Sequence, residues 1–266
     1  MAITAKKTFD FAYKRAEHFL TLYNILHNNR QRKARSDWMG KLKDLMHWPA
    51  KESIVRIDGK DNNSLLLLRE SLGIDQQHFS HDYTSELLRS SIVAVISALN
   101  RYMHDIIIEK SITILSWKED DIPSKLKKIK IPILATKKAV KKIKSNPNAR
   151  PGHIIKSELQ KILHDNFTFQ KPESILNGAS MLGIKDLWSK IAQKMPEPHS
   201  NADVMDKLKV VANRRNEIVH EADIILKTSA NQISQREIAY SFAEDSVVWI
   251  GKFVSALDEV ITEEFN

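Results

Sequence analysis

No cysteine occurs among the 266 residues. Disulfides and thiolate-held metal centres are therefore excluded, which agrees with a cytoplasmic location. Glycine and proline are scarce, at seven and eight residues, and the aliphatic and aromatic content is adequate, so a packed chain rather than a disordered one is expected. No apolar run approaches the roughly 18 to 20 residues of a membrane span. The N-terminus lacks a basic-then-apolar secretory pattern, and no membrane partner is expected. Internal repeats, a glycine-rich phosphate loop and a nucleophile elbow are missing too. No histidine and carboxylate spacing defines a metal site, so neither a metal nor a cofactor is expected. Positive charge is what the chain has in excess. Lys and Arg number 41 against 33 Asp and Glu, a formal net charge of +8. That balance favours an anionic partner, nucleic acid first.

Helical periodicity dominates. Phe9, Tyr13, Ala16, Leu20 and Tyr23 keep a helical period over residues 6–28, which His27-Asn28-Asn29 ends. Arg30, Arg32, Lys33 and Arg35 form a basic cluster, read as a solvated linker or an RNA-backbone contact. Ser36-Asp37 starts a second helix to about His47. Residues 53–60 suggest a short strand entering a turn, and Asn63-Ser64 a cap for a helix from Leu65 to Ser71 that Gly73 ends. Leu88, Ile92, Val95, Leu99, Tyr102 and Ile106 form the cleanest seam, over residues 84–115. His104 and Asp105 lie near its end, on a polar face or beside an active groove.

Residues 122–157 contain no acid and eleven lysines or arginines. Pro123, Pro132, Pro147 and Pro151 prevent one continuous helix there. Between them, residues 135–144 have helical potential and gather Lys137, Lys138, Lys141 and Lys142 on one side. This is either a solvated insert or an RNA-backbone cradle that gives affinity without sequence specificity. The insert has no interleaved aromatics for stacking bases. Short helices follow at residues 153–164, from Pro172 to Gly178 or Gly183, and around Leu187, Trp188 and Ile191 before Pro196 and Pro198. Residues 224–234 read as a polar loop. Ser234 and Glu237 stand in capping-box spacing before a last helix with Ile238, Phe242, Trp249, Phe253, Ala256 and Val260 as its seam. Trp249 is assigned to the core.

A helix opening after Ser200-Asn201 carries the chemistry. Val204, Leu208, Val211, Arg215, Ile218 and Ala222 recur in alternating steps of four and three, so Arg215 stands where an apolar residue is due. A guanidinium in a seam costs free energy unless an anion or carboxylate meets it. Asn216 and His220 are four apart on one face, and a long guanidinium stem can bridge from Arg215 to His220. An imidazole can move a proton near neutral pH, a guanidinium can grip a phosphate, and an amide can orient either. With RNA as substrate, the 2′-OH supplies the nucleophile and no protein nucleophile or metal is needed. Arg-x4-His recurs by chance roughly once in two chains of this size. On geometry alone, a salt-bridged structural helix and a catalytic set both stand.

The sequence context narrows this. Arg215-Asn216, followed after three residues by His220 and placed late in an all-helical domain, resembles the HEPN superfamily. His81–Val93, Phe169-Gln170-Lys171-Pro172-Glu173 and Leu187-Trp188 resemble its RiboL-PSP branch, over about residues 79–264. The resemblance implies an all-α, HEPN-like helical bundle at 79–266. A helical extension at 1–78 precedes it, and the lysine-rich insert at 120–157 interrupts it. It also implies a metal-independent endoribonuclease of a toxin or anti-phage defence system, leaving 2′,3′-cyclic phosphate and 5′-OH ends. Arg215, Asn216 and His220 would be catalytic, and two copies would meet across a homodimer. Lys137, Lys138, Lys141, Lys142 and Arg214 are the candidate RNA contacts, and an antitoxin or sensor protein is a candidate further partner. The competing reading is a non-catalytic helical module that binds RNA or protein, in which Arg215 and His220 are structural.

Overall fold

The computed structural model of the chain describes residues 4–27, 30–33, 35–59, 64–145, 152–197, 199–227 and 232–265. Asn28, Asn29, Lys60, Asn63, Pro147, Pro151 and Pro198, used above as boundaries, lie outside the described residues. In chain order the elements are α1 (Ala5–Leu26), β1 (Arg30–Lys33), α2 (Ser36–Leu45), β2 (Ile54–Asp58), β3 (Leu65–Arg69), α3 (His81–Ile114), α4 (Ser124–Lys127) and α5 (Ile133–Ser145). They continue as α6 (Gly152–Asn166), α7 (Pro172–Met181), α8 (Leu187–Lys194), α9 (Asn201–His220), β4 (Ile224–Lys227), β5 (Gln232–Gln235) and α10 (Tyr240–Glu263). Among the described residues, ten α-helices against two small sheets place the fold in the all-α class.

Two compact units divide the chain: Met1–Ala16 with Ile92–Arg236 and Asp245–Asn266, and Glu17–Ser91 with Glu237–Glu244. The larger is a helical bundle built on α3, where Ile92, Val95, Leu99, Tyr102 and Ile106 are all buried, as the seam requires. Tyr102 anchors three helices. Its ring meets Phe9 of α1 edge-on at 6.1 Å, and its hydroxyl donates to Asp258 of α10 at 2.9 Å. Burial, then the Asp258 carboxylate, raises the Tyr102 phenol well above its ordinary range. Gly178 lets α7 approach α3 closely. A Cβ there would stand 2.9 Å from both Ile107 Cδ1 and Met103 Cε. Trp249 is buried and stacks on Phe253 at 5.3 Å, in the core as expected. The longest described helix, α3, is long and apolar enough to cross a membrane, although it holds no unbroken apolar run of that length. Since 67% of its apolar window is buried, packing within the protein uses that surface.

Prolines divide the basic insert as expected: Pro123 caps α4, and the Pro132 carbonyl accepts from Ala135 at the start of α5. Two expectations fail nearby in the chain. Residues 224–234, read as a loop, contain the antiparallel hairpin β4–β5, with Ile225 opposite Ser234. Ser234 therefore lies in a strand, and α10 begins at Tyr240 rather than at a capping box. Four-residue strands are too short to declare a period of two, and the β-branched residues Ile224, Ile225 and Ile233 give only a weak β-forming signal.

The smaller unit holds the antiparallel sheet β1-β2-β3. β2 is the expected strand, buried at Ile54, Val55, Ile57 and Asp58. Asp58 accepts from Arg56 at 2.7 and 3.0 Å and pairs with Arg32 at 3.2 Å. The Arg56 hydrogen bonds and charge lower its carboxyl below the usual range. Residues 30–33 are thus a sheet edge and not a linker. The helix expected from Leu65 to Ser71 is instead β3, with Ile54 opposite Arg69 and Asp58 opposite Leu65. Four consecutive leucines have no period and favour helix intrinsically, and pairing with β2 overrides that preference.

Candidate active site

The motif lies at the C-terminal end of α9. Ser200 opens this helix as a reciprocal cap. Its hydroxyl accepts from the Asp203 N–H at 3.1 Å, while the Asp203 carboxylate accepts from the Ser200 N–H at 2.8 Å. Hydrogen bonding from Ser200, side chain first and then backbone, depresses the Asp203 carboxyl. Val204, Leu208, Val211 and Ala212 are buried in the bundle. From Arg215 the same seam is only half-buried, and His220 is exposed. The helix stops at His220, two residues earlier than the periodicity suggested, so Ala222 lies outside it and is exposed.

The stop is unusual. Ala222 and Asp223 adopt left-handed backbone with φ of 49° and 57°, and neither is glycine. The Glu217 carbonyl accepts from both Glu221 and Asp223 at 3.1 Å, which closes the helix end. Burial of the Asp223 side chain, only 1% exposed, secures this turn. Arg214 grips the Asp223 carboxylate with both terminal nitrogens, Nη2 at 2.8 Å, and Nη1 also reaches Glu217 at 3.2 Å. The outgoing chain is held as well: the Arg236 N–H donates to the Asp223 carbonyl at 2.8 Å, and its guanidinium meets Glu221 at 3.1 Å. Arg236 was not singled out from sequence. The hairpin brings it back fifteen residues after Glu221, and no spacing rule marks that return.

Arg215, Asn216 and His220 come together. Arg215 Nη1 stands 3.1 Å from Asn216 Oδ1 and 3.4 Å from His220 Nε2. A guanidinium can only donate, so the second contact requires the Nε2 lone pair. Arg215 Nε is buried and has no partner among the described residues. A cation, an amide and an imidazole thus meet on one exposed helix end. They can bind an oxyanion, orient it and accept a proton.

The other predicted residues are distributed differently. Arg214 lies beside the trio in sequence but is engaged with Asp223 and Glu217, its side chain 12% exposed. Lys137, Lys138 and Lys141 are exposed and Lys142 half-buried, on α5, which packs against α6. His104 belongs to the core. It stacks on His164 at 4.3 Å and meets Phe169 edge-on at 4.9 Å. Asp105 pairs with Arg101 at 2.8 Å. Among the described residues no group of three or more His, Asp or Glu side chains is placed to hold a metal.

No curated protein matches the chain, and no solved structure does. A family model does match, RiboL-PSP-HEPN, over residues 60–263. HEPN domains are generally ribonuclease-like, act on RNA and often dimerise. With most of its length matched, the motif helix included, this chain belongs to the RiboL-PSP-HEPN family.

Proposed function

We propose that the protein is a metal-independent endoribonuclease, acting in the cytoplasm as a toxin or anti-phage defence effector. The observation that carries this reading is the 3.4 Å approach of Arg215 to His220 beside Asn216 at an exposed helix end. Arg215 turns from the imidazole to the scissile phosphate and takes up its developing charge, a contribution worth several kcal/mol in comparable sites. That movement frees the His220 Nε2 lone pair to take the proton of the 2′-OH. The 2′-oxygen then bonds to phosphorus and the 5′-oxygen leaves, giving a 2′,3′-cyclic phosphate and a 5′-OH. The departing oxygen needs a proton. In a homodimer, a protonated His220 of a second copy supplies it. Asn216 orients the phosphate, and Lys137, Lys138, Lys141 and Lys142 hold flanking backbone. Arg214 contributes positive potential from within its clamp.

Purified protein incubated with RNA in excess EDTA should cleave, and His220→Ala and Arg215→Ala should each lose activity by at least about a hundredfold. Cleavage that stops with chelator, or survives both substitutions, rejects the mechanism. Salt-sensitive RNA binding without turnover would establish the non-catalytic binding module instead. Growth arrest on induction in a bacterial host, absent for His220→Ala, tests the toxin role. An antitoxin or sensor protein would be the partner that relieves or triggers that arrest.

A further inference from the structure

Among the cavities that the described residues of the larger unit line, three have volumes of about 480, 440 and 530 Å³. The first two have carboxylates in their walls, Asp10 and Glu259 in one, Asp105 and Glu109 in the other. The third has none. Its polar lining is Lys125, Lys128, Lys130, Asn166 and Asn177, and its apolar surface is Ile129, Ile162, Phe167 and Met181. Cation, amide and aromatic thus meet in this concavity without a carboxylate. The lysines come from α4 and the chain after it, inside the basic insert, which by itself contains no aromatic residue for a base to stack on. Phe167, from the loop that follows α6, supplies that missing face.

The geometry points to a binding site for one nucleoside-phosphate unit in this cavity. A volume of 530 Å³ suits a mononucleotide and lies within the usual range for small-ligand sites. Phe167 is a fixed platform. Its ring is nearly parallel to that of the buried Phe169, at 4° and 6.1 Å, and Phe169 packs edge-on against the buried His104. The Phe169 N–H is tied to Asn100 Oδ1 at 2.6 Å, so the loop is anchored at its base. A base stacks on the half-buried Phe167 against Ile129, Ile162 and Met181. The phosphate meets Lys128 and Lys130, which are exposed and have no acidic neighbour in the cavity. Asn177 Oδ1 already accepts from Lys125 Nζ at 2.6 Å, leaving its amide nitrogen to meet a base-edge acceptor. The unit can be a free nucleotide or one nucleotide of a bound RNA, since both offer the same base and phosphate. This site is separate from Arg215 and His220 and does not depend on cleavage.

The test uses the full-length His220→Ala protein, so that turnover cannot confound binding. Calorimetric titrations with AMP, UMP and inorganic phosphate form one arm, and anisotropy with a fluorescein-labelled six-nucleotide RNA forms the other. Binding of a mononucleotide or of the oligonucleotide should weaken on the order of tenfold in Phe167→Leu, and comparably in Lys128→Ala/Lys130→Ala. Both variants change exposed or half-exposed groups, and an unaltered melting temperature shows that the fold is intact. Mononucleotide binding identifies a free-nucleotide site, and binding of the oligonucleotide alone identifies an RNA subsite. Inorganic phosphate binding as tightly as AMP, affinities unchanged in both variants, or no binding in either arm would overturn the proposal. A cleaving enzyme whose cavity binds nothing would leave the ribonuclease reading intact. Phe167-dependent binding by a protein that never cleaves would do the reverse.

Discussion

Asp223→Asn separates what the helix-end clamp does for stability from what it does for chemistry. Asparagine tolerates left-handed backbone at least as well as aspartate, so φ of 57° at this position is kept and only the charge is removed. The Arg214 guanidinium, 12% exposed, then loses a partner that is 1% exposed and that engaged both its terminal nitrogens. Breaking such a buried pair from one side costs about 3 to 5 kcal/mol. Glu217 remains within 3.2 Å of Arg214, so a loss of about 2 to 3 kcal/mol is expected here, read as a lower urea midpoint. Asp223→Ala adds left-handed strain and should cost about 1 kcal/mol more. In Arg214→Met/Asp223→Leu neither charge is left unpaired, so the loss should be smaller than the sum of the single substitutions. Cleavage by Asp223→Asn, assayed well below its unfolding temperature, should fall because the turn directly after His220 loosens. A stability loss below about 0.5 kcal/mol in Asp223→Asn would refute the reasoning, since the pair would then behave like a surface ion pair.

Three further outcomes follow from the same structure. Ala222→Gly removes a methyl group from a residue at φ of 49° on an exposed turn, and should raise stability by about 1 kcal/mol in urea denaturation. Ser200→Ala deletes one half of the reciprocal cap and should cost about 1 kcal/mol, with amide exchange rising first in the opening turn of α9. Acid should weaken the fold through His104. Burial first, then the neighbouring His164, lowers its pKa from 6.5 to about 4. The unfolded chain therefore binds this proton more readily. The stability that neutral His104 gives is complete above pH 6.5 and is lost as pH falls towards 4, by about 2 to 3 kcal/mol. His104→Gln should flatten the pH dependence of the urea midpoint over that interval, and a slope identical to that of the parent protein would exclude His104 as its source.

What the sequence made legible was whatever repeats along one helix. The α3 seam, the start of α9 at Ser200 and the Arg215, Asn216 and His220 set all depend on neighbours at most five residues apart. Partners one helical turn away are fixed by backbone geometry before any tertiary contact forms. The misreadings share the opposite property. β3 exists because Ile54–Asp58 lies beside it, and a run of leucines has no reason of its own to be extended. Arg236 reaches Glu221 only because β4–β5 folds the chain back, and the shortness of those strands hid the return. Phe167 and Lys128 share a cavity though 39 positions separate them, so the basic insert read alone shows no aromatic partner. The end of α9 shows the two kinds of information meeting. Periodicity carries the helix on through Ala222, while a nonlocal clamp stops it at His220. The last helical residue is therefore the imidazole that the proposed chemistry needs at the surface.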